Sequence, residues 1–273
     1  MSSNAVGCEP PPEMLAWTRL VERSIAAWVD CTGLPKCDRE WQAESLRRYE
    51  SLDQFMDNAA QAPSPMFWFF QRRYAFLIQK RLPKWSRDDF EQYVLLPAAP
   101  GSILREKCFF VSHFWLTPKD PDPDGKYLRL LQDSLAKQSW SCIWVDWTCA
   151  PQEPRSGPEA TYFGTVLQMM PSIIQEAGFA FHFPLWEPRL WILFEIAQFL
   201  LTSHGNDGGS GLPDIAPYTI HIAMMRLAGV KYVLDEYGYD CKNDEDRGLI
   251  LFWLDVLVVC HRLNLDWMTL RRM

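Results

Sequence analysis

A chain of 273 residues has room for about two domains or one large α/β unit, and its 48% hydrophobic and 14% aromatic content, with 13 Trp, excludes a disordered polymer. A net charge of −7 excludes a protein that coats nucleic acid with its whole surface, while leaving room for a local basic patch. The eight cysteines include no CxxC pair and no Cys/His cluster at zinc spacing, so neither a metal nor another cofactor is expected. Met1 to Pro12 lacks the charged and apolar segments of a signal peptide. The longest apolar run, Leu249 to Cys260, contains Asp255 and is too short to span a bilayer. A soluble cytoplasmic protein with no membrane contact is the expectation.

In chain order, residues 1–12 read as a loose tail. Met14–Val29 and Asp38–Asn58 read as two helices, split by the Cys-Thr-Gly-Leu-Pro punctuation at 31–35. Pro63 to Arg87 differs in kind. It holds no acidic residue but carries Arg72, Arg73, Lys80, Arg81, Lys84 and Arg87, interleaved with Phe67, Trp68, Phe69, Phe70, Tyr74, Phe76 and Trp85. Read as a helix ending before Pro83, it places Arg72, Arg73 and Lys80 opposite Phe67, Tyr74 and Ile78. Two readings stay open: the solvated face of a packed helix, or a patch that tracks phosphates. The stretch ends in Arg87-Asp-Asp-Phe-Glu91, where Asp88, Asp89 and Glu91 are either helix N-terminal acids or carboxylates for a guanidinium group.

The centre of the chain is Cys108 to Gln152. Cys108–Trp115 and Cys142–Trp147 are short apolar runs of the kind expected for strands buried on both faces. Between them come a turn at Pro121–Gly125 and a helix at Lys126–Gln138, with Leu128, Leu131 and Leu135 on one face. The result is a βαβ unit with parallel strands. Ligands of open parallel sheets bind beyond the carboxyl ends of the strands, where Ser112, His113 and Asp146 fall.

Further on, Phe163 to Ala177 carries a helical stripe that Pro171 is expected to kink or restart, and Phe179–Phe183 reads as a third strand. His182 in that strand reads as a satisfied core histidine. Pro188–Leu201 is a helix apolar on every side, hence buried, with Glu195 in its middle. A lone buried carboxylate is costly, so Glu195 is either paired with an arginine or a site residue. Thr202–Pro217 is a glycine-bearing loop and no P-loop. A short helix at Tyr218–Ala228, a strand at Lys231–Leu234, an acidic loop at Asp240–Asp246 and a helix at Leu249–Leu263 complete the chain, with Asp255 a second buried-acid candidate.

Two resemblances follow from these residues. Phe109-Phe-Val-Ser-His-Phe-Trp115, Ile143-Trp-Val-Asp146 with Pro151-Gln152, and Leu190-Trp-Ile-Leu-Phe-Glu195 resemble the strand–strand–helix order of TIR-type and fungal heterokaryon-incompatibility domains across about 105–200. In NAD-cleaving members of that group a glutamate on the corresponding helix acts, which would make Glu195 the carried-over residue. The Ser-His-Phe-Trp run and the two long flanks depart from that pattern. Over the whole chain, the length, the helical N-terminal half and the aromatic VSHFW…WVDWT…WILFE core are similar to fungal arginine-containing cyclodipeptide synthases. Those enzymes join arginine, delivered on tRNA, to a second amino acid.

These likenesses imply an α/β fold with a flavodoxin/TIR-like parallel sheet flanked by helices, a helical N-terminal region over 1–100 and a catalytic core over 101–273. They imply arginyl-tRNA and a second aminoacyl-tRNA as partners, with Arg72, Arg73, Lys80 and Arg81 on the tRNA and Asp88, Asp89 and Glu91 on the arginine. Ser112 is a candidate acyl carrier. His113, its strand neighbour, points to the other face, so Glu195 or Asp146 is the expected base ahead of His113. A TIR-like NAD hydrolase would use Glu195 with Trp115 or Trp147 as an aromatic wall. In a non-enzymatic signalling module, Asp146 and Glu195 would be structural.

Overall fold

The computed structural model describes residues 11–59, 66–117, 119–182, 186–202, 215–241, 244–263 and 265. The N-terminal tail, residue Phe183 of the third expected strand, most of the Thr202–Pro217 loop and part of the Asp240–Asp246 loop lie outside them. Three helices come first: α1 (Pro12–Cys31), α2 (Lys36–Arg47) and α3 (Leu52–Asn58). The expected single helix over 38–58 is therefore two. Ser51 interrupts it by accepting a hydrogen bond from the Gln54 amide at 3.2 Å, which starts α3 afresh.

The aromatic stretch that reads as a helix begins instead as a strand. β1 (Phe67–Arg72) is followed by a short helix, α4 (Arg73–Ile78), a 3-10 turn at Phe90–Gln92 and then β2 (Tyr93–Pro97). Phe67 through Phe70 are all buried, as the interior strand of a sheet requires and as a solvated helix face forbids. Tyr74 and Ile78, expected on the packed side, are 63% and 64% exposed. Continuous burial on both faces leaves no alternation to read, which hides a strand of this kind.

The βαβ unit is present: β3 (Cys108–His113), α5 (Lys126–Leu135) and β4 (Cys142–Trp144), with β3 and β4 parallel and Phe109 opposite Ile143. Asp122 starts α5, its two carboxylate oxygens accepting the amides of Lys126 and Leu128 at 2.9 and 2.8 Å. Gly125 sits at φ +62°, and a Cβ there would stand 2.6 Å from the Lys80 carbonyl oxygen. Only glycine allows the basic loop after α4 to approach α5 so closely.

Beyond the one-turn helix α6 (Asp146–Cys149), α7 (Gly157–Glu176) runs through Pro171 as one continuous helix. It is followed by β5 (Gly178–His182) and α8 (Leu190–Thr202). The sheet order is β2-β1-β4-β3-β5, with β4, β3 and β5 parallel and β1 antiparallel to both its neighbours. The fold is thus α/β with a mixed sheet around a parallel core. Residues before 100 supply two of its strands as well as helices.

Side chains alternate between the two sheet faces. Phe110 stacks on Trp144 at 5.0 Å and on Phe179 at 5.7 Å, and Phe179 stacks on Phe199 of α8 at 4.7 Å. Those residues belong to the core shared with α1, α7 and α8. Val111, Ile143 and Val145 face the opposite way, onto Leu128, Leu131 and Leu135 of α5. The chain ends in α9 (Ala216–Ala228), α10 (Val230–Glu236) and α11 (Asp244–Arg262). The strand expected at Lys231–Leu234 is helix α10, whose buried Val230, Val233 and Leu234 follow helical spacing. Asp255 is exposed on α11 rather than buried. Among the described residues, no helix is long and apolar enough to cross a membrane.

Candidate active site at the carboxyl edge of the parallel strands

Ser112 and His113 close β3 and, as alternation dictates, serve different partners. The Ser112 hydroxyl, on the α8 side of the sheet, donates to Glu195 Oε2. His113 Nε2 lies 2.8 Å from Asp146 Oδ1, at the end of β4. Other groups hold Asp146 as well. Its Oδ2 accepts from Trp115 Nε1 at 3.0 Å, its Oδ1 from the Trp147 amide at 2.6 Å, and its backbone oxygen from Gln152 Nε2 at 2.9 Å. Both carboxylate oxygens are therefore engaged, which suits a group that fixes its neighbours.

Glu195 is in a different condition. It is half-buried on a largely apolar helix, and among the described residues its hydrogen bond goes through Oε2 alone. Burial pushes its carboxyl up to about 8; the Ser112 hydroxyl pulls the other way, and the charge of Asp146 adds to the rise. A carboxyl that titrates near neutral pH and touches a hydroxyl is equipped for proton transfer. Of the two expected bases, Glu195 is the one that touches the Ser112 hydroxyl. The alternative expectation, pairing of Glu195 with an arginine, has no counterpart among the ion pairs of the described residues.

Trp115 and Trp147 meet edge to face, 5.1 Å apart at 87°, and form one aromatic corner beside Asp146. The basic loop lies against the same corner. Lys84 Nζ sits 5.8 Å from the Trp147 ring centroid and donates to the Glu153 carbonyl. The Trp85 amide donates to the Trp147 carbonyl at 2.9 Å, Trp147 Nε1 to Leu82 O at 3.3 Å, and Thr148 Oγ1 to Pro83 O at 3.0 Å. Residues 82–85 are thereby fastened along α6. Lys80 and Arg81, just before them, are exposed and form no ion pair among the described residues.

The remaining basic residues do other work. Arg73 donates to the Ala136 carbonyl at 2.9 Å and lies 5.5 Å from the Trp140 ring centroid, so its charge meets the carboxyl end of α5. Arg72 reaches the Glu91 carbonyl at 3.3 Å. Arg87 bridges Asp53 and Glu159 at 3.1 and 3.0 Å. The four residues Arg72, Arg73, Lys80 and Arg81 therefore do not form one stripe: the first two are tied to the fold, the last two are exposed.

Asp88, Asp89 and Glu91 are not brought to Ser112, His113, Asp146 or Glu195 by any hydrogen bond or ion pair of the described residues. Asp88 and Asp89 lead into the single 3-10 turn Phe90–Gln92 ahead of β2 and Glu91 lies within it; Glu91 pairs with Arg23 at 3.0 Å and Asp89 accepts from Gln92 at 3.1 Å. Lys84 and Gln152 are members of the neighbourhood that sequence reading did not single out as site residues. Their adjacency to Trp147 and Asp146 is a product of loop packing, with no motif to announce it. His182 belongs to β5, with its side chain outside the described set. No family model matches the chain, and no similar curated protein or solved structure was found.

Proposed function

We propose that the chain is an aminoacyl-tRNA-dependent acyltransferase that joins arginine to a second amino acid and releases a cyclic dipeptide. The observation that carries this reading is the Ser112 hydroxyl donating to a Glu195 carboxyl raised to about 8. An aminoacyl ester is already activated, so a nucleophile, a modest base and a sheltered site suffice. In its ionised form Glu195 takes the Ser112 proton as Oγ attacks the arginyl ester, then returns it to the departing ribose hydroxyl. The arginyl amine on Ser112 attacks the second aminoacyl ester, passing a proton to the ribose hydroxyl of the second tRNA as that tRNA leaves. The new terminal amine then closes the ring by displacing Ser112, whose Oγ takes the proton that the amine gives up. Lys84 over the Trp147 ring, with the exposed Lys80 and Arg81 shortly before it in the chain, supplies positive charge that supports a tRNA acceptor end as the ligand. The likeness to fungal arginine-containing cyclodipeptide synthases adds the amino-acid choice.

A second reading, an NAD glycohydrolase, draws on Glu195 together with the Trp115–Trp147 corner. One experiment separates the two. The purified chain is given arginyl-tRNA with a mixture of aminoacyl-tRNAs, and separately NAD, and products are followed by mass spectrometry. An arginine-containing cyclic dipeptide supports the first reading. Nicotinamide release replaces it with the second, and inertness toward both leaves a non-enzymatic module.

A further inference from the structure

Three cysteines distant in the chain converge at the end of the sheet opposite Glu195. Cys108 and Cys142 open β3 and β4 as partners in register, and Cys31 is the last residue of α1. The Cys108 and Cys142 sulfurs are 3.3 Å apart, Cys142 and Cys31 3.6 Å, and all three lie within 4.8 Å of one another. All three residues are buried. A thin polar roof separates them from water: Ser141 donates its hydroxyl to Asp30 Oδ2, and Lys107 Nζ lies 3.1 Å from Asp30 Oδ1.

We propose that Cys31, Cys108 and Cys142 form a binding site for a soft monovalent d10 cation, Cu+. Thiolates select soft ions over hard ones. With metal–sulfur bonds of about 2.3 Å, a planar three-sulfur site has its sulfurs about 4.0 Å apart. The 3.3 and 3.6 Å edges therefore need to open by about 0.7 and about 0.4 Å, within reach of side-chain adjustment. Zn2+ in a closed protein site takes four ligands, and among the described residues no histidine, carboxylate or further cysteine joins the cluster. An iron–sulfur cluster likewise calls for four ligands. Binding through three thiolates sends the remaining thiol protons to bulk water and transfers no electron. The resulting core carries two negative charges, and the nearby Asp30 carboxylate, which opposes them, is itself paired with the Lys107 ammonium.

The test titrates the full chain anaerobically with Cu+ against bicinchoninate, and counts sulfur neighbours by X-ray absorption. The expected result is one tightly held equivalent with three sulfur neighbours, and a thermal midpoint several degrees higher with metal than without. Cys108→Ala and Cys142→Ala are expected to lose that equivalent, while Cys37→Ala, at an exposed thiol, keeps it. Failure to outcompete bicinchoninate overturns the proposal, as do a two-sulfur shell or undiminished binding by Cys142→Ala. Should the core variants not fold, the stoichiometry and sulfur count of the unaltered chain decide the matter.

Discussion

Ser112 and Glu195 stand 83 positions apart in the chain and meet through a hydrogen bond in which the hydroxyl is the donor. That bond is the influence holding the Glu195 carboxyl down against burial and the Asp146 charge. Ser112→Ala removes it. The carboxyl is expected to titrate at still higher pH, and turnover to fall by about 100-fold or more as the nucleophile is lost. Mass spectrometry of the unaltered chain after arginyl-tRNA is expected to show an arginyl adduct that Ser112→Ala lacks. An adduct persisting in the variant would place the nucleophile elsewhere.

Glu195→Gln tests the same site through stability. Glu195 titrates at about 8 in the folded chain, against about 4.3 when unfolded. Between those values the folded chain holds a proton that the unfolded chain has released. The stability this provides is complete below about pH 4 and is lost as pH rises through about 8. Gln cannot ionise and escapes the loss. The melting temperature of Glu195→Gln minus that of the unaltered chain is expected to grow from pH 5 to pH 8 and level off above, while turnover falls by orders of magnitude. Two parallel melting curves would mean that burial does not govern this carboxyl, and full turnover would remove Glu195 from catalysis.

Trp115→Phe keeps a ring against Trp147 but deletes the donor to Asp146 Oδ2. Loss of one such bond costs about 1 kcal/mol of stability. The larger effect is expected on turnover, down by as much as about 100-fold, because Asp146 and His113 lose a constraint on their position. Denaturant melts and kcat measured side by side check this; equal kcat in both proteins would make the hydrogen bond purely structural.

The basic residues divide into two groups with opposite signatures. Lys80→Glu and Arg81→Glu are expected to weaken tRNA binding and lower its salt slope by about one for each phosphate no longer neutralised, at unchanged melting temperature. Arg73→Glu is expected to lower the melting temperature, since it sets a carboxylate against the carboxyl end of α5. Filter binding across a salt series, with thermal melts of the same proteins, distinguishes the groups. Unaltered tRNA affinity in Lys80→Glu would return this loop to solvated surface.

Much of the centre was legible because two local signals agreed there. The short apolar runs at 108–115 and 142–147 bracket a helix with regular leucine spacing, and the polar residues at the run ends occupy the carboxyl edge as the topology requires. The alternation rule also separated Ser112 from His113, and the structure gives each its own carboxylate. What stayed hidden depended on distant partners. β1 is a strand because β2 and β4 flank it, and Phe67–Phe70 carries no periodicity to say so. Tyr93–Pro97 did offer a signal, a short apolar run closed by proline, of the kind found in edge strands. The three cysteines around Cys142 are invisible as spacing, because each comes from a different element.

The place of β1 in the sheet has a consequence for how the chain leaves the ribosome. Its Phe-Trp-Phe-Phe run pairs on one side with β2, made soon afterwards, but on the other Gln71 waits for Ile143. β4 covers only Gln71 and Arg72 of that edge, and the Tyr162 hydroxyl of α7 covers it beside Phe67 and Phe69. Until β4 and α7 emerge, the aromatic strand presents one open edge to the crowded surroundings of the nascent chain, a setting that invites pairing with the wrong neighbour. Synthesis rate over residues 98–162, rather than the stability of the finished fold, is therefore expected to govern the yield of soluble protein, and slowing translation there should increase aggregation.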